Sequence, residues 1–154
     1  MKEFTIYIMI GIPGSGKSTW IKKNLGEKFP VVSRDLIRED LGYAEKDEKI
    51  LGTREQEEIV TKIQYKKIMW FLKRGISFVI DDTNLGKYLP GLIETLRKSP
   101  KNPKIIGVSI KTPLSVASKR RPGIPFSILS KMRKNQISLD LSLFDKVIFS
   151  KGVN

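Results

Sequence analysis

The chain has 154 residues, a length that fits one domain around a single core, and it contains neither cysteine nor histidine. These absences exclude disulfides, thiolate metal sites and an imidazole base, so any catalytic base must be a carboxylate or a lysine. The net charge of +13 is large for this size, and residues 95–139 hold eleven Lys or Arg and no acid, which favours a polyanionic partner or substrate over a merely solvated surface.

The first predicted strand leads directly into a phosphate-binding loop. Apolar residues of segment 5–10 precede GIPGSGKS at residues 11–18, and a helix follows to about Asn24, which is the strand, GxxxxGK(S/T), helix pattern of a P-loop. Its glycines let backbone N–H groups turn towards a phosphate, and the helix directs the positive end of its dipole there. We expect Lys17 to reach the β- and γ-phosphates of ATP or another NTP, and Ser18 to ligate Mg²⁺. The residues predicted to bind ATP are Gly11, Pro13, Gly14, Ser15, Gly16, Lys17, Ser18 and Thr19.

A second, short strand is predicted from Phe29 to Val32, and it is followed by Arg34 and Asp35. Ligands and catalytic groups gather at the carboxyl ends of parallel strands, so both residues are candidates for a site. Asp35 is also a plausible N-cap for the helix that follows, and the residue pattern leaves both roles open.

A long helix is predicted from Thr53 to Arg74, after a polar loop at residues 42–52. Its apolar residues recur at spacings of three, four and seven, and Gly75 ends it. We expect Trp70 and Phe71 to lie in or near the core rather than to stack on bases, because they belong to this apolar pattern.

The third predicted strand, Ile76 to Ile80, ends in Asp81, Asp82, Thr83 and Asn84. An apolar strand followed by an acid, downstream of a P-loop, is typical of the Walker B element that holds Mg²⁺ directly or through water. The two adjacent acids leave open which one takes this role, and a polar turn that merely ends the strand is the alternative.

Two basic residues stand at a break between predicted helices. One helix covers about residues 114–121 and the next about residues 126–139, with Pro122, Gly123 and Pro125 between them. Arg120 and Arg121 therefore lie at a hinge, where a mobile lid would carry arginines that clamp phosphates.

Two further strands, Lys104 to Ile110 and Lys146 to Phe149, bring the predicted number to five. Strands that alternate with helices predict an α/β fold of the P-loop nucleotide-kinase type, a three-layer sandwich with a five-stranded parallel sheet and a helical lid at about residues 114–139. We expect a single domain over residues 1–154. Because no segment has the pattern of a signal peptide or the length of a membrane span, we expect a cytoplasmic location, or the host cytoplasm for a viral chain, and no membrane partner.

Four segments resemble the kinase module of the phage-type 5′-polynucleotide kinase/3′-phosphatase family, in the same order and over nearly the whole chain. They are the P-loop at residues 11–20, Arg34-Asp35 with Arg38, Asp82-Thr83-Asn84-Leu85, and a basic segment leading to Pro125, Leu129 and Met132. The resemblance implies an enzyme of nucleic-acid repair that transfers the γ-phosphoryl group of ATP to the 5′-hydroxyl end of DNA or RNA. No Asp-x-Asp phosphatase motif occurs, so we expect no 3′-phosphatase activity.

The resemblance also implies roles for single residues. An Asp at the position of Asp35 is the family's general base, and an Arg at the position of Arg38 helps to hold the acceptor phosphate. The first choice for the family's lid arginine is Arg120, and the second choice is Arg121. The spacing of both to Pro125 differs from that of the family. The implied catalytic residues are Asp35, Lys17, Arg120 and Arg121, the acceptor-binding residues are Arg34, Arg38, Thr83 and Asn84, and the metal ligands are Ser18 and Asp82.

Two other functions stay open, because a P-loop does not specify where the γ-phosphate goes. One is a small-molecule or toxin-type kinase, and the other is a non-catalytic, ATP-gated module that binds nucleic acid. The residues do not distinguish DNA from RNA, because no base-stacking platform or 2′-hydroxyl reader can be identified.

Overall fold

The structure is a computed structural model that describes residues 3–44 and 52–152, so most of the predicted polar loop at residues 42–52 lies outside the described residues. Its strands are β1 (Thr5–Ile10), β2 (Val31–Val32), β3 (Phe78–Asp81), β4 (Lys104–Ile110) and β5 (Lys146–Ser150). Its α-helices are α1 (Lys17–Asn24), α2 (Arg34–Asp40), α3 (Arg54–Arg74), α4 (Leu89–Arg97), α5 (Leu114–Arg120) and α6 (Phe126–Ile137), and a short 3₁₀ turn covers Leu141–Leu143.

The five strands form one sheet in the order β2-β3-β1-β4-β5, and every neighbouring pair is parallel. The strand that enters the P-loop, β1, is therefore central, with β3 on one side and β4 on the other. Each parallel connection needs a crossover, and the helices supply these crossovers. The predicted α/β fold with a five-stranded parallel sheet is confirmed.

Both faces of the sheet are covered, which is why the inner strands β1, β3 and β4 are buried along most of their length rather than at alternate residues. On one face, Ile8 and Phe78 pack with residues of α3 and α4, such as Leu72. On the other face, Met9 packs with Ile21 of α1. Because all strands are parallel, their carboxyl ends lie at one edge of the sheet, together with the loops that follow β1, β2 and β3.

Helix α2, which carries Asp35, begins at a cap that differs from the predicted one. The Ser33 hydroxyl accepts a hydrogen bond from the backbone N–H of Leu36 at 3.4 Å, and the φ and ψ angles of Ser33 are extended. Asp35 lies in the first turn of the helix. The alternative in which Asp35 is the N-cap is therefore wrong, because Ser33 already has this role.

Helix α3 has nearly the predicted extent, but not all of the residues that were expected to face the core do so. A capping box formed by Thr53 and Gln56 begins it, and Gly75 ends it at φ +65°. The side chain of Phe71 is partly buried and stacks on Phe78, as expected near the core. Trp70 was expected to lie there too, and this prediction is wrong, because the residue is 48% exposed.

Helices α5 and α6, which were predicted to form a lid, flank the predicted Pro- and Gly-rich turn. A small apolar cluster of Ile12, Ala117 and Leu129 joins them to the P-loop. No helix within the described residues is long and apolar enough to cross a membrane.

Candidate phosphotransfer site

The loop between β1 and α1 has the backbone of a phosphate-binding loop. Gly14 and Gly16 adopt φ angles of +80° and +91°, a region that favours glycine, and a Cβ on Gly14 would lie 2.8 Å from the carbonyl oxygen of Ala117. Gly16 precedes α1 and has no side chain to cap it, so the helix N–H groups face the loop. The buried Ser15 hydroxyl has no hydrogen-bond partner within the described part of the chain. These features fit a nucleotide phosphate.

Lys17 and Ser18 lie at the start of α1. The Lys17 ammonium donates to the carbonyl oxygens of Gly11 and Ile12 at 3.1 and 3.2 Å, so its charge lies over the loop. The Ser18 hydroxyl donates to Oδ2 of Asp81 at 3.2 Å. A hydroxyl beside a carboxylate is the kind of oxygen donor set that Mg²⁺ prefers.

Asp82 lies elsewhere in the site. Its carboxylate accepts hydrogen bonds from the backbone N–H of Arg34 at 3.1 Å and from the Gln64 side chain at 2.5 Å. Desolvation by burial raises the pKa of Asp82 to about 6, although both hydrogen bonds oppose the shift. The predicted pair of metal ligands, Ser18 and Asp82, is thus not brought together, because consecutive residues at a strand end direct their side chains to opposite sides.

Asp35 is held by an arginine that is itself held by α3. Arg38 donates from Nη1 to Oδ1 of Asp35 at 2.9 Å, and from Nε and Nη2 to the Glu57 carboxylate at 2.9 and 2.5 Å. The Arg38 side chain is only 7% exposed, whereas that of Asp35 is 33% exposed. Hydrogen bonding by Arg38 lowers the pKa of Glu57 to about 2. The predicted base and its neighbouring arginine are therefore in contact.

Arg34 is the second arginine on α2, and its guanidinium also contacts α3. It donates to Thr61 at 3.0 Å, to the Gln64 side chain at 3.2 Å, and to Glu57 at 3.2 Å. Both arginines that were predicted to bind the acceptor are thus anchored by one polar face of α3.

Thr83 and Asn84 follow Asp82 in the loop after β3. The Thr83 carbonyl accepts the N–H of Gly11 at 3.2 Å, which joins this loop to the P-loop. Asn84 is fully buried at φ +53°, and its amide donates to the Met9 carbonyl at 2.6 Å. The expected acceptor contact of Asn84 is corrected accordingly, since its donors are used inside the fold and its surface is enclosed.

The two predicted lid arginines differ in position. Arg120 donates from Nη1 to the Gly14 carbonyl at 3.0 Å and lines a cavity of about 290 Å³. Arg121 is the C-cap of α5, and its Cγ atom would meet a Cβ on Gly14 at 3.1 Å. The cavity is also lined by Gly16, Thr19, Trp20, Lys23, Asn24, Ser150 and Gly152. It therefore begins at the P-loop and extends along α1.

A family model described as an AAA domain, AAA_33, matches residues 6–120. The chain belongs to this AAA-domain family. The match contains the P-loop, Asp81, Asp82 and Arg120. It therefore covers most of the site described above.

Solved structures show the same fold. A chain of the Pnkp1/Rnl/Hen1 RNA repair complex is 22% identical with a TM-score of 0.71, over 91% of this AAA-domain chain and 48% of its own. A chain of the PezAT toxin-antitoxin system of Streptococcus pneumoniae is 13% identical with a TM-score of 0.69, over 98% of this chain and 70% of its own. A gluconokinase from Sinorhizobium meliloti 1021 is 19% identical with a TM-score of 0.52, over 96% of this chain and 83% of its own.

These likenesses show a P-loop kinase-like fold, and this chain spans about half of the length of the chain from the RNA repair complex. The similar proteins have names that refer to different substrates, so the fold leaves the phosphate acceptor of this AAA-domain protein open.

The polar face of α3 is the part of the site that the sequence analysis missed. Glu57, Thr61 and Gln64 stand four and three positions apart, so they lie on one side of a helix. Each contacts Arg34 on α2. A polar stripe beside the buried Val60 and Ile68 was the available signal, since a purely structural inner face would be apolar.

Proposed function

We propose that this protein is an ATP-dependent 5′-hydroxyl polynucleotide kinase that acts on DNA or RNA ends in nucleic-acid repair. The observation that carries the proposal is the convergence of two segments on two consecutive residues, Asp81 at the end of β3 and Asp82 directly after it. Asp81 contacts Ser18 of the P-loop, and Asp82 contacts the first amide of the helix that carries Asp35. This arrangement supports a function in which a phosphate donor on the P-loop lies beside a carboxylate base on α2.

The P-loop and the lid would bind the donor. The glycine-rich backbone and Lys17 hold the phosphates, and Arg120 lies on the Gly14 carbonyl at the mouth of the cavity. The nucleoside of ATP would extend into that cavity along α1. Ser18 and Asp81 would hold Mg²⁺, which offsets negative charge on the phosphates when it is bound.

Asp35 would act as the general base. Its carboxylate orients the 5′-hydroxyl and accepts its proton while the 5′ oxygen forms a bond to the γ-phosphorus. The bond between the γ-phosphorus and its bridging oxygen breaks, and that oxygen keeps the electron pair as ADP leaves. Arg38 holds Asp35 in a fixed orientation through Nη1. The proton then passes from the partly exposed carboxylate to water.

A polynucleotide acceptor is supported by charge and by likeness. Lys and Arg number 29 against 16 acids, which suits a substrate with several phosphates. The similar chain from an RNA repair complex is consistent with the same class of acceptor. A small, neutral acceptor would give the protein little reason for so large an excess of positive charge.

The decisive experiment is a competition for labelled ATP among 5′-hydroxyl DNA, 5′-hydroxyl RNA, a 3′-nucleotide and a panel of small alcohols. We expect label on the oligonucleotide ends, with an acceptor affinity that falls steeply as salt rises. Asp35→Asn should lose the transfer while it still binds ATP, because the amide cannot accept the proton. Preferential label on a small alcohol, or undiminished transfer by Asp35→Asn, would contradict the proposal.

A further inference from the structure

Thr112 follows β4 at the point where the P-loop, the end of β5 and the lid helix α6 meet. It is fully buried, and its hydroxyl lies 2.6 Å from the carbonyl oxygen of Ser15 and 3.1 Å from that of Gly152. Its own carbonyl oxygen accepts a hydrogen bond from the Arg133 guanidinium of α6. A single buried residue therefore contacts all three elements.

The hydroxyl of Thr112 is the donor for a group of backbone acceptors. The carbonyl oxygens of Ser15, Gly152 and Lys151 lie 2.6, 3.1 and 3.3 Å from it. A hydroxyl has one proton, so it donates to one acceptor at a time, and the shortest of these contacts is the one to the P-loop. Loss of the hydroxyl would leave three carbonyl dipoles facing one another, which is costly away from water.

The end of the described chain closes this contact. Gly152 adopts φ +62°, and a Cβ there would lie 1.9 Å from the Thr112 hydroxyl and 2.4 Å from the Ser15 carbonyl oxygen. The backbone of Gly152 is thus packed directly on the hydrogen bond.

We propose that Thr112 is a positioning residue that orients the P-loop for the phosphates of the donor. The peptide between Ser15 and Gly16 is planar, so its carbonyl and its N–H point in opposite directions. When Thr112 holds the Ser15 carbonyl, the Gly16 N–H is directed away from Thr112. An amide oriented in advance binds phosphate without an ordering cost on binding. The inference rests on the proposed function in requiring a P-loop that binds nucleotide phosphates, and it does not involve the acceptor.

The experiment compares variants of Thr112 by calorimetric titration with inorganic tripolyphosphate and, separately, with ATP. Thr112→Val removes the hydroxyl at nearly constant volume, and we expect it to weaken both ligands by the same factor, about tenfold. Thr112→Ser keeps the hydroxyl and should bind both like the wild type. Tripolyphosphate lacks a nucleoside, so its response isolates the phosphate loop from the cavity.

A matched control is available in β4, three residues before Thr112. Ser109 is also buried, and its hydroxyl accepts a hydrogen bond from Gln136 of α6 at 3.1 Å. Ser109→Ala should therefore lower the melting temperature and leave tripolyphosphate binding unchanged. If Thr112→Val folds poorly, Thr112→Ala and Thr112→Ser provide the same comparison, because both lack the methyl group and differ only in the hydroxyl.

Each outcome decides the inference. Unchanged tripolyphosphate binding in a folded variant without the hydroxyl would overturn it, as would an equal loss in Ser109→Ala or in Thr112→Ser. Failure of the proposed function has a different signature, namely no label on 5′-hydroxyl ends while the tripolyphosphate series keeps the expected order.

Discussion

Arg38 and Glu57 form a two-point ion pair, with Nε and Nη2 of the arginine 2.9 and 2.5 Å from the two carboxylate oxygens. The remaining terminal nitrogen, Nη1, reaches Asp35. Arg38 therefore joins a carboxylate of α3 to the proposed catalytic carboxylate of α2. Such bidentate, charge-assisted contacts fix geometry as well as charge, so the orientation of Asp35 depends on α3.

Glu57→Gln should impair phosphoryl transfer more than it impairs nucleotide binding. The amide retains one acceptor but presents a donor to the second arginine nitrogen, so Arg38 and with it Asp35 lose their fixed orientation. We expect kcat with a 5′-hydroxyl oligonucleotide to fall about tenfold, which corresponds to the loss of one charge-assisted hydrogen bond. The Kd for ATP should stay unchanged.

Glu58→Gln is the matched control for this comparison. Glu58 is the next residue on α3, and its side chain is 63% exposed in an ion pair with Arg54. Exposed ion pairs of this kind contribute little. Equal losses in the two glutamine variants would mean that Glu57 has no special relation to Asp35.

The same contact predicts a pH dependence of stability. Hydrogen bonding by Arg38 lowers the pKa of Glu57 to about 2 in the folded state, below its ordinary value of 4.5. The unfolded chain therefore binds the proton more readily than the folded chain. The contribution of ionised Glu57 to the free energy of unfolding is complete above pH 4.5 and is lost as the pH falls towards 2. Urea unfolding across this range should show a steeper loss for the wild type than for Glu57→Gln. Parallel curves would contradict this prediction.

The local parts of the site were predictable because their signals are contained in short segments. The P-loop pattern predicts a turn between a strand and a helix, and the bounds of β4, Lys104–Ile110, agree with the predicted ones. Contacts between segments that are distant in sequence could not be predicted in this way. Arg34 and Gln64 are an example, because their separation is set by the packing of α2 on α3.

Helix α3 illustrates a second limit. Its apolar residues occupy two stripes, and periodicity alone does not say which of them faces the sheet. The buried stripe contains Val60, Ile68 and Leu72, whereas Trp70 lies outside with the Arg74 guanidinium 3.9 Å above its ring. This cation–π contact stabilises Trp70 at the surface, and the apolar pattern does not reveal it.

Asp81 and Asp82 should differ in their effect on magnesium dependence. Asp81 accepts a hydrogen bond from Ser18, whereas Asp82 accepts hydrogen bonds from Arg34 and Gln64. We expect Asp81→Asn to raise the Mg²⁺ concentration for half-maximal phosphoryl transfer by about tenfold or more, because it removes one anionic oxygen donor from the proposed metal site. Asp82→Asn should leave that concentration unchanged. The reverse order would return the metal to Asp82, as the sequence resemblance implied.

Asp82 also predicts a stability change of opposite sign to that of Glu57. Burial raises its pKa from 3.8 to about 6, so between these values the folded state binds more protons than the unfolded state. Stability contributed at this position is present at about pH 4 and is lost as the pH rises through 6. Asp82→Asn cannot ionise, so its unfolding free energy should fall less over this range. If the unfolding free energy of the wild type falls no more steeply with pH than that of Asp82→Asn, the raised pKa of Asp82 is refuted.

Arg120 and Arg121 are adjacent cations of the predicted lid, and their different positions predict different effects. Arg120 reaches the P-loop carbonyl of Gly14 at 3.0 Å and lines the cavity, whereas Arg121 ends α5. A cation that lies on the phosphate loop can stabilise charge that develops on the transferred phosphoryl group. We therefore expect Arg120→Ala to lower kcat by about a hundredfold or more, and Arg121→Ala to lower it by much less.

Single-turnover transfer of labelled phosphate measures both variants, with the Kd for ATP determined separately to distinguish a catalytic loss from weaker binding. A larger loss of kcat in Arg121→Ala would move the lid arginine to Arg121, since the two side chains differ in place and not in charge.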